Sequence, residues 1–261
     1  HGVTTVDDWL HRRRAIVAGM QSVMGRLPGN EKRCPPDMRI EEEADCGGYV
    51  RRLVTYASEP GGRVPAYLMV PKSVLGSGTA KAPAVLCLHP TDNSIGHGVV
   101  VGLGGRSGRQ YASELAERGY VTLAPSYPLL ANYRPDLDQL GWQSGTLKAV
   151  WDNVAGIDLL ESLPFVEPGA IGAVGHSLGG AVAAILGIYA TRWEGTMRSS
   201  RRSSTSESRP SSRRAGWTRS STTTVATRRY GSRTVAGHRR DTCRDSPTTA
   251  DDWPTFRSTS R

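Results

Sequence analysis

A serine between two glycines carries the strongest chemical signal in this sequence. In the stretch GHSLGG, Ser177 lies between Gly175 and Gly179, which forms the pattern G-x-S-x-G. An apolar run precedes this stretch and small residues follow it, so a strand, a tight turn and a helix are expected. Such a turn exposes the serine hydroxyl, and the glycines let the strand and the helix approach closely. We therefore predict that Ser177 is a nucleophile.

A serine hydroxyl is a weak nucleophile until a base takes its proton and fixed N–H groups receive the carbonyl oxygen. Leu178, directly after the serine, offers one such N–H at the start of the predicted helix. The second is expected in the loop after an earlier strand, where Pro90 has no N–H and Thr91 is the candidate. His176 is interpreted as a residue that packs or orients the turn. For His89 a packing role is favoured over a direct catalytic role.

The apolar patterns predict the elements that would hold this turn. Residues 6–25 have apolar groups at helical spacing, and YVRRLVTYAS and RVPAYLMVPK predict an antiparallel hairpin at a sheet edge. Beyond the hairpin, apolar strands alternate with helical patterns, which is the order of a parallel α/β sheet. The strands are predicted at 82–90, 120–128 and 169–177, and the helices at 109–120, 145–164 and 178–190.

Four stretches together resemble the α/β-hydrolase fold, in its dienelactone hydrolase-like and acetyl-xylan-esterase-like branch. They are VPAYLMVPK, AVLCLHPTDNSIG, YASELAERGYVTLAPSYP and PGAIGAVGHSLGG, and the resemblance covers about residues 45–187. It implies a three-layer sandwich around an eight-stranded sheet, with a triad in the chain order Ser, acid, His. The tight turn that carries Ser177 is called the nucleophile elbow. Dienelactone hydrolases have a cysteine at this position of the elbow, so Ser177 favours the esterase or peptidase-like relatives.

The resemblance also implies a reaction and a substrate class. The reaction is hydrolysis of a carboxylic ester or related acyl bond through an acyl-enzyme at Ser177. The expected partner is a small-molecule ester or an acylated carbohydrate, and neither a cofactor nor a metal is required.

The acid and the histidine that should complete the triad are missing after Ser177. The only later histidine is His238, and the only acids between the two are Glu194 and Glu207. All three lie in sequence that predicts no strand to hold them, and a triad depends on held geometry. We therefore expect an esterase-type domain that is truncated after the elbow and has little turnover. Four aspartates follow His238, whereas the acid of the triad should precede the histidine in the chain: Asp241, Asp245, Asp251 and Asp252.

The composition changes at about residue 190. Residues 191–261 carry 16 Arg, no Lys and 6 acidic residues, whereas the first 190 residues have a net charge of −1. Arg, Ser and Thr make up 44 of these 71 residues, and there is no Leu or Ile to build a core. We predict an N-terminal helical segment at 1–44, the hydrolase part at 45–190 and a disordered tail at 191–261.

The tail has the composition that a shifted reading frame of GC-rich DNA produces. One offset converts back-translations of residues 216–232 and 240–260 into peptides with ordinary shares of hydrophobic and aromatic residues. The sequence of the coding DNA across codons 180–200 tests this hypothesis, and codons that forbid the alternative frame would disprove it.

A basic tail also suits a non-enzymatic protein that binds nucleic acid or other polyanions. The tail has no regular RS repeat, no RGG motif and few aromatics, so the esterase interpretation is favoured. The sequence has no run of 18 apolar residues and no signal-peptide pattern, and we take a soluble, cytoplasmic protein without a membrane partner as the default. Cys87 is expected in the core, and Cys34 and Cys46 could pair if the protein were secreted.

Overall fold

The computed structural model describes residues 2–76 and 78–187, and the backbone of residues 225–226. Five helices and seven strands form this part of the chain. The helices are α1 (Val6–Met24), α2 (Lys72–Leu75), α3 (Tyr111–Glu117), α4 (Gly145–Ser162) and α5, whose described part is residues 178–187. The strands are β1 (Arg39–Asp45), β2 (Tyr49–Glu59), β3 (Gly62–Pro71), β4 (Ala82–Leu88), β5 (Val121–Pro125), β6 (Val166–Gly175) and β7 (Val225–Ala226). Two 3₁₀ segments, Asn30–Lys32 and Gly96–Val101, lie in the connections.

The strands form one sheet in the order β1-β2-β3-β5-β4-β6-β7. β1, β2, β3 and β5 pair antiparallel to one another in turn, whereas β5, β4, β6 and β7 are parallel. The parallel part confirms the predicted alternation of strands and helices. The resemblance implied eight strands, and the described residues contain seven.

The predicted hairpin exists as β2 and β3, but its predicted place at the sheet edge is wrong. β1 pairs with the outer side of β2 and is itself the edge strand. Nearly all of β1 is exposed, and its sequence RIEEEAD has no alternation of apolar and polar residues. A strand that buries neither face leaves no such pattern, so it could not be recognised from the sequence.

Helices cover both faces of the sheet, as expected for three layers. Successive strand residues point to opposite faces, so Leu86 and Leu88 of β4 pack on one side and Cys87 on the other. The first side is covered by α1, α4 and α5, which contribute Val17, Val150 and residues of α5 to the larger core. The second side is covered by α3 and the segment Gly96–Val101.

The N-terminal helix begins and ends where its apolar spacing predicted. Thr5 caps α1, because its side chain accepts from the N–H of Asp8 while the Asp8 carboxylate accepts from the N–H of Thr5. Only Val17 of this helix is fully buried, since the first two turns extend beyond the core.

A buried ionic network joins β2 to α4. The ammonium group of Lys148 is fully buried, lies 3.0 Å from Glu59 Oε1 and is also bound by the carboxylate of Asp152. Burial raises the pKa of Asp152, and the Lys148 charge opposes that rise. Trp142 Nε1 donates to Glu59 Oε1 at 2.7 Å, and Lys32 reaches Glu59 Oε2 at 2.6 Å. The network therefore also anchors the segment after α1 to the domain.

The structure bears differently on the predictions for the cysteines and for the tail. Cys87 is fully buried, as expected, and burial raises the pKa of its thiol. Cys34 is a free thiol, so it does not form a disulfide with Cys46. The predictions of a disordered, frame-shifted or polyanion-binding tail concern residues that lie outside the described part of the chain, except for the backbone of Val225–Ala226, which forms β7 beside β6.

Within the described ranges, no helix combines the length and the apolar character needed to cross a membrane.

Replacing Lys148 by Met is expected to destabilise the protein by about 3–5 kcal/mol, because the buried Asp152 then has no cation and the buried Glu59 keeps only Lys32. Lys72→Met is the matched control, since Lys72 pairs with the exposed Asp45 at 2.6 Å. The control is expected to cost less than about 1 kcal/mol. Urea unfolding measures both, and equal losses in the two variants would contradict the importance of the buried network.

Candidate active site

The order of the strands predicts a binding crevice at the carboxyl ends of β4 and β6. The two strands are parallel neighbours, and their last residues, Leu88 and Gly175, are paired in register. The chain leaves β4 toward β5 on one side, and β7 extends the sheet beyond β6 on the other. Connections that leave neighbouring strands in opposite directions open a crevice at their carboxyl ends. The loops that carry Thr91 and Ser177 both begin at this crevice.

Ser177 occupies a tight turn between β6 and α5, as its sequence context predicted. Its φ is 56°, in the left-handed region that residues with side chains rarely adopt. The turn is closed by a hydrogen bond from the N–H of Gly179 to the carbonyl of His176, at 3.0 Å. Ser177 is exposed, so the strained backbone presents its hydroxyl to the crevice.

The two glycines of the motif are explained by backbone contacts. A Cβ atom on Gly175 would lie 2.3 Å from the carbonyl carbon of Gly179, so β6 and α5 meet with no room for a side chain. A Cβ atom on Gly179 would lie 2.1 Å from the carbonyl oxygen of Leu88, at the end of β4. Gly179 therefore permits contact with the neighbouring strand, which the sequence pattern alone did not reveal.

The two predicted oxyanion donors lie on the two sides of the crevice. Leu178 is the first residue of α5, where backbone N–H groups have no partner within the helix. Thr91 is exposed, in the loop that follows β4. The structure thus brings Thr91, Leu178 and Ser177 to neighbouring strand ends.

Asp92 shapes the loop that carries Thr91, a role that the sequence analysis missed. One oxygen of its carboxylate accepts from the N–H groups of Ser94, Ile95 and Gly96, at 3.0, 2.6 and 3.2 Å. Partial burial by itself raises the pKa of Asp92, but the three donors outweigh it and hold the pKa below its usual value. An aspartate followed by Asn and Ser is a known turn signal, and it could have identified this residue.

His89 is fully buried and packs inside the domain. Its ring stacks on that of Tyr127, with 4.2 Å between the ring centroids. Its Nδ1 lies 2.7 Å from the carbonyl oxygen of Pro90, and because a carbonyl only accepts, Nδ1 carries the proton. Burial lowers the pKa of His89 to about 4, so the ring is neutral at physiological pH. This arrangement agrees with the packing interpretation.

His176 faces an arginine rather than the serine beside it. Its Nδ1 lies 3.4 Å from Nη1 of Arg109, and a guanidinium can only donate. The lone pair of His176 Nδ1 is therefore directed at Arg109, and the predicted role of His176 in orienting the turn stays a prediction.

The hydroxyl of Ser177 has no histidine or acid as a hydrogen-bond partner in the described part of the chain. No hydrogen bond joins its hydroxyl to a histidine or an acid within residues 2–76 and 78–187. The later residues considered for the triad, Glu194, Glu207 and His238, lie outside the described part. Nor does any group of three or more His, Cys, Asp or Glu in that part have the arrangement of a metal site.

Comparison with solved structures identifies the architecture. The chain is similar to a putative acetyl xylan esterase from Bacteroides fragilis, with a TM-score of 0.54 and 19% sequence identity. The similarity covers 72% of this chain and 52% of that one. The chain has the α/β-hydrolase fold. No family model matches the sequence, and no curated protein does.

Two further solved structures resemble this α/β-hydrolase domain. Acetyl xylan esterase 1 from Thermoanaerobacterium has a TM-score of 0.45 and 16% identity, over 60% of this chain and 50% of that one. A glucuronoyl esterase from Solibacter usitatus has a TM-score of 0.47 and 17% identity, over 70% and 56%. The chain thus spans about half the length of the proteins that it resembles.

Two neighbouring glycines allow a matched test of the elbow. Gly179→Ala is expected to destabilise the domain by about 3 kcal/mol, because the new methyl group overlaps the backbone at the end of β4. Gly180→Ala is expected to be neutral or stabilising, since its methyl group has no contact shorter than 3.4 Å and alanine favours a helix. Urea unfolding measures both, and an equal effect at the two positions would refute the close approach.

Proposed function

We propose that this α/β-hydrolase domain is the nucleophile-bearing part of a serine esterase that cleaves a carboxylic ester or a related acyl bond. The observation that carries the proposal is the exposed Ser177, held at a φ of 56° in the tight turn between β6 and α5. In a turn between a strand and a helix, such a strained backbone keeps a serine clear of its neighbours, as a nucleophile requires.

Each group of the crevice has a role in the proposed reaction. The Oγ atom of Ser177 attacks the carbonyl carbon, and the carbonyl oxygen takes up the negative charge. The N–H groups of Leu178 and Thr91 donate to that oxyanion, and the aligned peptide dipoles of α5 favour the charge. The alcohol then leaves with a proton, and water hydrolyses the acyl group from Ser177.

Proton transfer requires an acid and a histidine, which in this fold follow the nucleophile in the chain. Because no histidine or acid is hydrogen-bonded to Ser177 in the described residues, we expect reaction with activated reagents and little turnover of ordinary esters. Catalysis that remains in serine hydrolases without their triad comes from the oxyanion site and substrate binding.

The proposed substrate is a small ester or an acylated carbohydrate. Support comes from the Bacteroides fragilis protein of the same fold, which is described as a putative acetyl xylan esterase.

A fluorophosphonate probe tests the nucleophile directly. We expect the folded protein to be labelled at Ser177, as located by peptide mass spectrometry, and Ser177→Ala to abolish labelling. Ser94→Ala is the control, because Ser94 is also exposed, in the loop that follows β4, and its loss should leave labelling unchanged. A folded protein that is not labelled, or a label that persists in Ser177→Ala, would refute the proposal.

A further inference from the structure

The side chain of His89 is bonded to the peptide group that contains the N–H of Thr91. Its Nδ1 donates to the carbonyl oxygen of Pro90 at 2.7 Å, and that carbonyl belongs to the peptide between Pro90 and Thr91. No peptide in the described part of the chain is cis, so this one is trans, and its C=O and N–H point in opposite directions. Because the carbonyl points at the ring of His89, the N–H of Thr91 points away from that ring.

His89 is itself held in place, which fixes the direction of this peptide. Its ring is fully buried and stacks on Tyr127, with 25° between the two ring planes. Its carbonyl oxygen lies against the first turn of α5, since a Cβ atom on Gly179 would approach that oxygen to 2.8 Å. The side chain and the backbone of His89 are therefore both anchored beside the nucleophile elbow.

The chain is also fixed on the other side of Thr91. The carboxylate of Asp92 accepts from three N–H groups of its own loop, as described above. Thr91 thus lies between two anchored residues, yet it is itself exposed. Its N–H makes no hydrogen bond within residues 2–76 and 78–187. This donor is therefore directed by its neighbours and is available to a ligand.

From this geometry we propose that His89 is a positioning residue, which directs the N–H of Thr91 into the crevice through the carbonyl of Pro90. The inference rests on the proposed function, in which this N–H donates to the oxyanion. Such a donor lowers the barrier only if it already points to the place where the charge develops. His89 supplies that orientation without touching the substrate, which goes beyond filling space in the core.

The tautomer of His89 reports the hydrogen bond directly and does not depend on catalysis. Burial lowers the pKa of His89 to about 4, so at physiological pH the ring is neutral and carries one proton. The bond to Pro90 places this proton on Nδ1. We expect nitrogen-15 NMR of the wild-type protein to show a protonated Nδ1 and an unprotonated Nε2. A proton on Nε2, or an equal mixture of the two tautomers, would overturn the proposal.

Two substitutions separate the hydrogen bond from the ring. His89→Phe keeps a ring that stacks on Tyr127 but removes the donor, and we expect the fluorophosphonate reaction at Ser177 to become about tenfold slower. His89→Asn loses the stacked ring but keeps an N–H donor near the position of Nδ1, so its rate should stay within about threefold of the wild type. His97→Phe is the matched control, because His97 is a second fully buried histidine and packs on Tyr67, with 4.9 Å between the ring centroids. The control should change the rate by less than about twofold.

Urea unfolding of the same variants distinguishes positioning from packing. Loss of a buried stacked ring should make His89→Asn less stable than His89→Phe. Positioning therefore predicts opposite orders, in which His89→Phe is the more stable variant but reacts more slowly. Rates that follow stability instead would show that His89 only packs, and the proposal would be wrong. If His89→Asn does not fold, the tautomer and the rate of His89→Phe still decide.

The outcomes separate this inference from the esterase proposal. A wild-type protein that is not labelled at Ser177 refutes the esterase proposal, and with it the catalytic meaning of His89. A labelled wild-type protein with an unchanged rate in His89→Phe refutes the positioning role alone. Labelling of the wild type, a proton on Nδ1 and a slow His89→Phe variant together support both.

Discussion

The structure depends on a contact between backbones at the carboxyl ends of two neighbouring strands. The first turn of α5 lies so close to β6 and β4 that side chains are excluded at Gly175 and Gly179. This contact forces the turn between them into the left-handed conformation of Ser177. The strain at Ser177 is tolerated because strand pairing and helix packing on both sides over-determine its position. The geometry of the crevice follows from that one approach.

Buried and half-buried polar groups hold the other elements at this end of the sheet, where the carboxyl ends of the parallel strands lie. Because β2 and β5 both pair antiparallel with β3, they run in the same direction. Glu59, at the end of β2, therefore lies at the same end of the sheet as the end of β5. Its buried bond to Lys148 fixes the first turns of α4 there. Asp92 and Tyr111 do the same for the loops beside β4. A site formed by several loops thereby stands on a rigid base, as precise placement of reacting groups requires.

Sequence patterns predicted an element well where it buries apolar surface on one side or on both. α1, α4 and the strands β2 to β6 were all recognised, since each has a periodic or continuous apolar run. β1 was not recognised, because an exposed strand has no periodic pattern of apolar residues. Since β1 occupies the edge of the sheet, the hairpin of β2 and β3 lies inside it. Cys34 and Cys46 showed a related limit, since a spacing in sequence cannot indicate whether two sulfur atoms meet.

The sequence by itself determined the fold type and the residue at the elbow. Strand, glycine, serine, glycine and helix are adjacent in the chain, so local rules suffice to place Ser177 and the N–H of Leu178. Only the tertiary structure decided what surrounds them. The carbonyl of Leu88 contacts Gly179 and accepts from the Tyr111 hydroxyl, and Arg109 contacts His176, so residues far apart in sequence meet here. Such contacts arise from sheet order and register, which depend on how all the strands pair at once.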